Sequence, residues 1–297
     1  MNLPAAVVGI AGLGTMGLAL AELFVSQNIE VRGFDPRRDA IASDEHPWSL
    51  RDNFSLSSSL GDCVRDVDLA IEAVVEDVDV KNSVLAEIAL HTEGIIASNT
   101  STFMPSVLAP SVRNPERFLV AHFFNPPQLV PLVEIVPGPA TSTSATAQVV
   151  DLLSAMGRHP VLLQKECPGF VANRLQAAIL REALALVDAG IASPGAIDDI
   201  VKSGLAPRWA AAGPIGVADL GGLDIWARVS ALLFPLLSNT AEPSARLSSL
   251  TTQGHLGSKT GQGFYEHDPK TDAMTFRDME RHFELGVRFS PERFSAS

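Results

Sequence analysis

A chain of 297 residues with 46% hydrophobic content carries enough apolar material for two cores of ordinary domain size. Its net charge of −12 and the lack of any Lys/Arg-rich run exclude a nucleic-acid surface, so an anionic ligand would have to be held by backbone N–H groups or a few basic side chains. The 2 cysteines, Cys63 and Cys167, have no C-x-x-C neighbour, which excludes a disulfide framework and predicts a reducing setting with no metal site.

In chain order, residues 5–10 form a short apolar run that reads as a first strand. No basic leader or cleavage site precedes it, and no run reaches the roughly 18 apolar residues of a membrane span, so a soluble, cytoplasmic protein without membrane contact is expected. Residues 16–27 place Met16, Leu20, Leu23 and Phe24 at helical spacing, and Val31 to Asp35 reads as a second strand, completing a β-α-β unit. A strand-like run over 69–75, a helix over about 78–90 and a strand over 95–100 follow. Further strands are expected near 117–124, 130–136 and 160–163, with a helix over about 142–156. From Val171 the apolar residues recur at helical spacing through Leu175, Ile179 and Ala183 to Leu186 and Val187, and the remainder is helix punctuated by Pro and Gly. The predicted organisation is a dinucleotide-binding domain over 1–166 and an all-helical domain over 167–297, joined at Pro168-Gly169.

The first turn of this pattern has the spacing G-x-G-x-x-G. Gly12 permits the tight turn, Gly14 lets the backbone approach a pyrophosphate and Gly17 lets the helix pack close, while the N–H groups of the first helical turn, around Thr15 and Met16, attract phosphate. A glycine turn that holds another nucleotide, or none, is the competing reading of the motif alone. Strand, glycines and helix together predict a doubly wound, mostly parallel sheet of the Rossmann type. Asp35 ends the second strand 18 residues after Gly17, where a carboxylate accepts from the ribose hydroxyls of NAD and repels a 2′-phosphate. Arg37 and Arg38 soften that repulsion, and Asp35 also reads as a turn cap before Pro36; NAD is the expected cofactor.

His122 and Glu134 lie on adjacent predicted strands, 12 residues apart. Alone, each is ordinary: a histidine among Val120, Phe123 and Phe124 reads as a core residue, and a strand glutamate as a surface one. Together, an imidazole braced by a carboxylate can take a proton from an alcohol while hydride leaves the same carbon. Ser101 follows an apolar strand and can donate to a developing carbonyl oxygen, though it reads equally well as a helix N-cap; Asn173, near the start of the 171–189 helix, reads as a cap for backbone N–H groups. Glu76 and Lys81, five residues apart, read as a solvated ion pair, and Asn99 and Asn125 as turn residues.

Taken in order, these segments resemble the 3-hydroxyacyl-CoA dehydrogenase family. The glycine motif, Ile71 to Glu76 with Lys81, Ser98 to Ser101, His122 to Asn125 with Glu134, Pro168 to Arg174, Gly213-Pro214 and Lys259 to Tyr265 all take part. The resemblance implies that His122 is the base paired with Glu134, and that Ser101 and Asn173 contact the reacting oxygen. It also implies that Asn125 orients the site and that Glu76, Lys81 and Asn99 line the nicotinamide side of NAD. A homodimer through the helical domain and a small-molecule substrate follow from the same likeness.

The match is weakest between Pro36 and Val67, a short span without lysine where acyl-CoA enzymes carry a helical hairpin that helps hold CoA. Gly204 to Ala210, leading to Gly213-Pro214, resembles instead the branch acting on free hydroxy acids such as gulonate or carnitine, with Arg208 placed to pair with a substrate carboxylate; a helix-end arginine in a packing turn is the other reading. The expected activity is NAD-dependent oxidation of a 3-hydroxyacyl group to the 3-oxoacyl product. The same chemistry on a free hydroxy-carboxylate or a carrier-bound group, and a noncatalytic nucleotide-binding protein, are the alternatives.

Overall fold

A computed structural model describes residues 6–37 and 51–286, and two compact units divide the chain at Ala172 and Asn173. Arg38 and part of the Pro36–Val67 span lie outside the described residues.

Among its described residues the first unit carries eight strands in the order β3-β2-β1-β4-β5-β6-β7-β8, with β1 at Val7–Ala11, β2 at Glu30–Phe34, β3 at Phe54–Leu56, β4 at Leu69–Glu72, β5 at Ile95–Ser98, β6 at Phe118–Phe123, β7 at Leu132–Pro137 and β8 at His159–Leu162. Strands β1 to β6 run parallel; β7 pairs antiparallel with β6, and β8 runs parallel to β7. The central strands are near-continuous apolar runs because both sheet faces are covered. On one face Ile10, Ile71, Leu119, Ala121 and Phe123 join helix α1 (Thr15–Ser26) and α5 (Thr143–Ala155) in a core. On the other, Ala11, Ala70, Ile96 and Phe118 pack with α2 (Leu60–Val64) and α3 (Val78–His91). Because β2 and β4 flank β1, the order in which successive strands are added across the sheet reverses there, opening the crevice at the carboxyl ends of the strands where such sheets place ligands.

Strand β4 ends at Glu72, short of the expected residue 75, because the Val74 N–H turns aside to its own Glu72 Oε1 at 2.8 Å. Strand β3 and helix α2 are additions to the expected elements; at three and five residues they are too short to show a period. A short helix α4 (Pro105–Leu108) follows β5.

Among its described residues the second unit contains helices only, apart from a small bridged loop joining Gly257, Gln262 and Glu266. Helix α6 (Ala172–Asp188) enters it, followed by α7 (Pro194–Ile200), a widened turn over 201–205, α8 (Ala206–Gly221), α9 (Leu223–Leu233), α10 (Ala245–Thr252) and α11 (Pro269–Gly286). Gly213, at φ +69°, and Pro214 kink α8. Among the described residues of this unit only Leu184 and Val187 are buried. Among the described residues no helix is long and apolar enough to cross a membrane, and no cluster of three or more His, Cys, Asp or Glu could hold a metal ion.

Candidate active site

The glycine turn has three distinct steric jobs. A Cβ on Gly17 would lie 1.8 Å from the Gly12 carbonyl oxygen, and one on Gly12, which sits at φ +94°, would lie 2.8 Å from the Ala73 oxygen; both are forced by close packing. A Cβ on Gly14 would meet nothing within 4 Å, so that glycine keeps open space over the N-terminus of α1. Gly14 is itself the N-cap, no side chain caps the helix and no acidic residue occupies its first turn, which leaves the N–H groups around exposed Thr15 and half-buried Met16 to an anion. These features fit a dinucleotide pyrophosphate.

Asp35 stands at the end of β2, 4% exposed. Its Oδ2 accepts from the Leu13 N–H at 3.0 Å and its Oδ1 from the Arg37 N–H at 2.9 Å, while the Arg37 guanidinium takes both oxygens at 3.1 Å. Burial pushes the carboxyl up, but the Arg37 side chain and the two backbone N–H groups outweigh it and hold Asp35 below the usual carboxylate range.

Beyond β4 and β5 lies a network that the spacing of its residues does not announce. Lys81, on α3, is 1% exposed; its Nζ is 2.9 Å from Glu72 Oε1, 3.1 Å from Glu76 Oε2 and 3.4 Å from the Val74 carbonyl oxygen, so its three protons all have acceptors. Ser98 Oγ donates to Glu72 Oε2 at 2.6 Å. Glu76 Oε1 accepts from the Thr100 hydroxyl at 2.5 Å, the Thr102 hydroxyl at 2.7 Å and the N–H groups of Ser101 and Thr102 at 3.0 Å. Burial raises Glu76, but the Thr100 and Thr102 hydroxyls and the Lys81 ammonium bring its pKa down to about 2. The Glu76–Lys81 pair is thus largely buried on its lysine side, not solvated.

His122 and Glu134 are direct partners in the β6–β7 register, which puts both side chains on one face of the sheet. Nδ1 of His122 lies 2.9 Å from Glu134 Oε2, with the two residues 5% and 2% exposed. Since a carboxylate only accepts, Nδ1 carries a proton, and in the neutral ring Nε2 is left with the lone pair. Glu134 Oε1 accepts from the N–H groups of Val171 and Ala172, at 3.0 and 2.9 Å, where α6 begins. The imidazole is walled by Phe124 and Phe170, ring centroids 4.4 and 5.5 Å away. Asn99 Oδ1 accepts from the Phe123 N–H at 3.0 Å, tying the end of β5 to the residue after the histidine.

Of the other residues singled out by sequence, Ser101 is half-buried in the turn around Glu76 and Asn125 is exposed just beyond β6. Asn173 and Arg208 belong to the second unit: Asn173 stands in the first turn of α6, and exposed Arg208 opens α8 with its Nε donating to the Gly204 oxygen at 3.0 Å. In that unit the Tyr265 hydroxyl donates to Asp198 at 2.6 Å, fastening the Gly261–Tyr265 loop to α7. Sequence attached no role to Glu72, Thr100, Thr102 or the N–H groups of Val171 and Ala172; of these only Glu72, a lone acid inside an apolar strand, leaves a trace in the chain.

A phosphate-binding turn at the switch point of a parallel sheet, with a braced imidazole at the carboxyl end of β6, defines a nicotinamide-dependent oxidoreductase. Residues 7–167 match the 3-hydroxyacyl-CoA dehydrogenase NAD binding domain and residues 169–267 the C-terminal domain of the same enzymes. The chain belongs to the 3-hydroxyacyl-CoA dehydrogenase family and is an NAD-dependent enzyme of that type. It is 31% identical over 281 residues to the 5-formyl-3-hydroxy-2-methylpyridine 4-carboxylate 5-dehydrogenase of Mesorhizobium japonicum, covering 89% of this chain and 91% of the other. It is 36% identical over 232 residues to the L-carnitine dehydrogenase of Oceanobacillus iheyensis (72% and 76%) and 31% over 280 residues to a probable 3-hydroxybutyryl-CoA dehydrogenase of Deinococcus radiodurans (87% and 99%). Among solved structures, a 5-formyl-3-hydroxy-2-methylpyridine 4-carboxylic acid 5-dehydrogenase superposes with TM-score 0.84 at 30% identity over 94% of this chain and 97% of that one. A 3-hydroxyacyl-CoA dehydrogenase of Archaeoglobus fulgidus gives 0.71 at 29% identity over 95% and 99%.

Proposed function

We propose that this enzyme oxidises the hydroxyl of a small free carboxylate, with His122 as general base. The observation that carries the reaction is the His122–Glu134 pair: one ring nitrogen is fixed by a carboxylate that two backbone N–H groups hold in turn. Glycines 12, 14 and 17 with Asp35 hold NAD, which supplies the hydride acceptor when bound. Nε2 of His122 takes the hydroxyl proton, and Glu134 meets the positive charge that forms on the ring without becoming protonated itself. Ser101 and Asn173 hold the reacting oxygen and Asn125 orients the substrate.

Support for a free carboxylate comes from the likeness to a pyridine-carboxylate dehydrogenase and an L-carnitine dehydrogenase, and from Arg208, a guanidinium suited to a carboxylate. A hydroxyacyl-CoA substrate is the second reading, favoured by the 3-hydroxybutyryl-CoA relative matched over 99% of its length. Reduced-cofactor absorbance, followed with hydroxy-carboxylates and hydroxyacyl-CoA thioesters in parallel, separates the two. In either case His122→Asn should lower turnover by about 10²- to 10⁴-fold with NAD affinity intact; an active variant would remove the base from the reaction.

The second unit supports a homodimer. On α6, Leu175, Ile179 and Leu180 are each about half exposed, as are Leu223 and Ile225 on α9, and a cavity of about 630 Å³ beside α6 is lined by Ala177, Leu180 and Leu247 among others. A second copy that covers these faces supplies the core this unit lacks. Sedimentation as a monomer at micromolar concentration overturns this.

A further inference from the structure

The strands between β1 and β6 in the sheet are β4 and β5, so a cofactor anchored by the β1–α1 turn and reacting beside His122 extends across their carboxyl ends, where Glu72, Glu76, Lys81 and Ser98 meet. With both carboxylates ionised and the ammonium protonated, this network carries one net negative charge. That charge faces outward only at Glu76, whose side chain is 37% exposed while those of Lys81 and Glu72 are 1% and 0% exposed. The oxidised nicotinamide ring is a cation and the reduced ring is neutral. Only the first is attracted by a neighbouring unit of negative charge.

We propose that Glu72 and Lys81 are positioning residues that fix the charge Glu76 presents to the nicotinamide, so that the enzyme holds NAD+ in preference to NADH. Lys81 spends its three protons inward, on Glu72, Val74 and Glu76, and so acts through Glu76. Glu72 is the counter-charge that lets Lys81 be buried and leaves the negative charge of Glu76 uncancelled. A site so charged releases NADH readily after the alcohol is oxidised. The inference rests on the reading that the cofactor's reactive end lies beside His122.

The test is the ratio of the dissociation constants of NADH and NAD+, obtained by fluorescence and calorimetric titration without substrate. Glu76→Gln, at a half-buried position that leaves the Glu72–Lys81 pair whole, brings the network to zero charge; the ratio should fall by about tenfold, the weight of one unit charge in a partly solvated site. Glu72→Gln, with Lys81 then neutralising Glu76, should move it the same way. The double variant Glu72→Gln/Lys81→Met restores one net negative charge and should return the ratio to the wild-type value even where both affinities drop. Damage to the pocket alone weakens both forms equally and leaves the ratio fixed. An unchanged ratio in Glu76→Gln, or a double variant that fails to return to the wild-type ratio, overturns the proposal; if Glu72→Gln does not fold, these two measurements still decide it. An inactive His122→Asn with an unmoved ratio in Glu76→Gln refutes this inference alone, whereas an active His122→Asn refutes the reading of the reaction.

Discussion

His122 and Glu134 face each other across an antiparallel strand pair, 2.9 Å apart, and the carboxylate is anchored from behind by the N–H groups of Val171 and Ala172. The antiparallel turn of β7 is what makes this work. Had β7 run parallel to β6, a glutamate near its start would lie at the opposite end of the sheet from a histidine near the end of β6.

Replacing Glu134 with Gln tests this brace. The amide presents one oxygen where the carboxylate had two, so it cannot serve the imidazole and both N–H groups as before, nor meet the charge on the ring. Turnover should fall by about 10²-fold or more. NAD affinity should stay the same, since Glu134 lies away from the glycine turn. Steady-state kinetics beside a cofactor titration checks both, and a variant with wild-type turnover would show that the ring needs no orienting acid.

In the proposed cofactor site, Arg37 would govern how freely Asp35 receives a ribose. Its guanidinium, on a side chain 71% exposed, occupies both carboxylate oxygens, while the Leu13 and Arg37 N–H groups take one further site on each. Removing the side chain therefore frees one acceptor site per oxygen, which suits the two ribose hydroxyls. Arg37→Ala should bind NAD+ more tightly by up to about fivefold, because an exposed ion pair is cheap to displace, and NADP+ more weakly. Calorimetry with each cofactor reads this directly; weaker NAD+ binding would mean that the arginine contacts the cofactor itself.

Much of this was legible in the chain because it depends on local rules. The β-α-β unit follows from two changes of hydrophobic period around three glycines, and His122 and Glu134 sit on strands that the apolar runs mark. What stayed hidden depends on distance or on backbone. Glu72 meets Lys81 nine residues on and Ser98 26 residues on, so its neighbours cannot be read from spacing. Lys81 reads as solvated because the groups that receive its ammonium, Glu72 on β4 and the Val74 carbonyl oxygen beyond it, lie outside its own helix. The donors from Val171 and Ala172 are main-chain groups, which no residue letter encodes. The apolar stripe of α6 was plain, yet in a single chain Leu175, Ile179 and Leu180 remain uncovered.

Acid should loosen the Glu76 turn. The folded pKa of about 2 lies below the ordinary value of 4.5, so the carboxylate stabilises the fold fully above about pH 4.5, and this contribution is lost as pH falls towards 2. At neutral pH it is on the order of 1–2 kcal/mol, below what the shift alone would give, because the side chain is 37% exposed and partly screened. Urea titrations at pH 7 and pH 3 should show wild type ahead of Glu76→Gln at the first and the gap narrowed at the second. A gap that widens in acid contradicts the assignment.

The glycine turn predicts two opposite failures within six residues. Gly14→Ala puts its Cβ in open space, so the fold should lose no more than about 1 kcal/mol, while the methyl group stands where a pyrophosphate must approach. NAD affinity should fall by tenfold or more. Gly17→Ala instead drives its Cβ to within 1.8 Å of the Gly12 carbonyl oxygen, and relief requires helix α1 to move off the turn. That variant should be destabilised by about 3 kcal/mol, with cofactor binding lost as a consequence. Thermal unfolding with and without NAD distinguishes them: Gly14→Ala should melt near wild type and gain less protection from the cofactor than wild type does, and Gly17→Ala should melt early. If Gly14→Ala is protected by NAD as well as wild type is, the pyrophosphate does not lie over this turn.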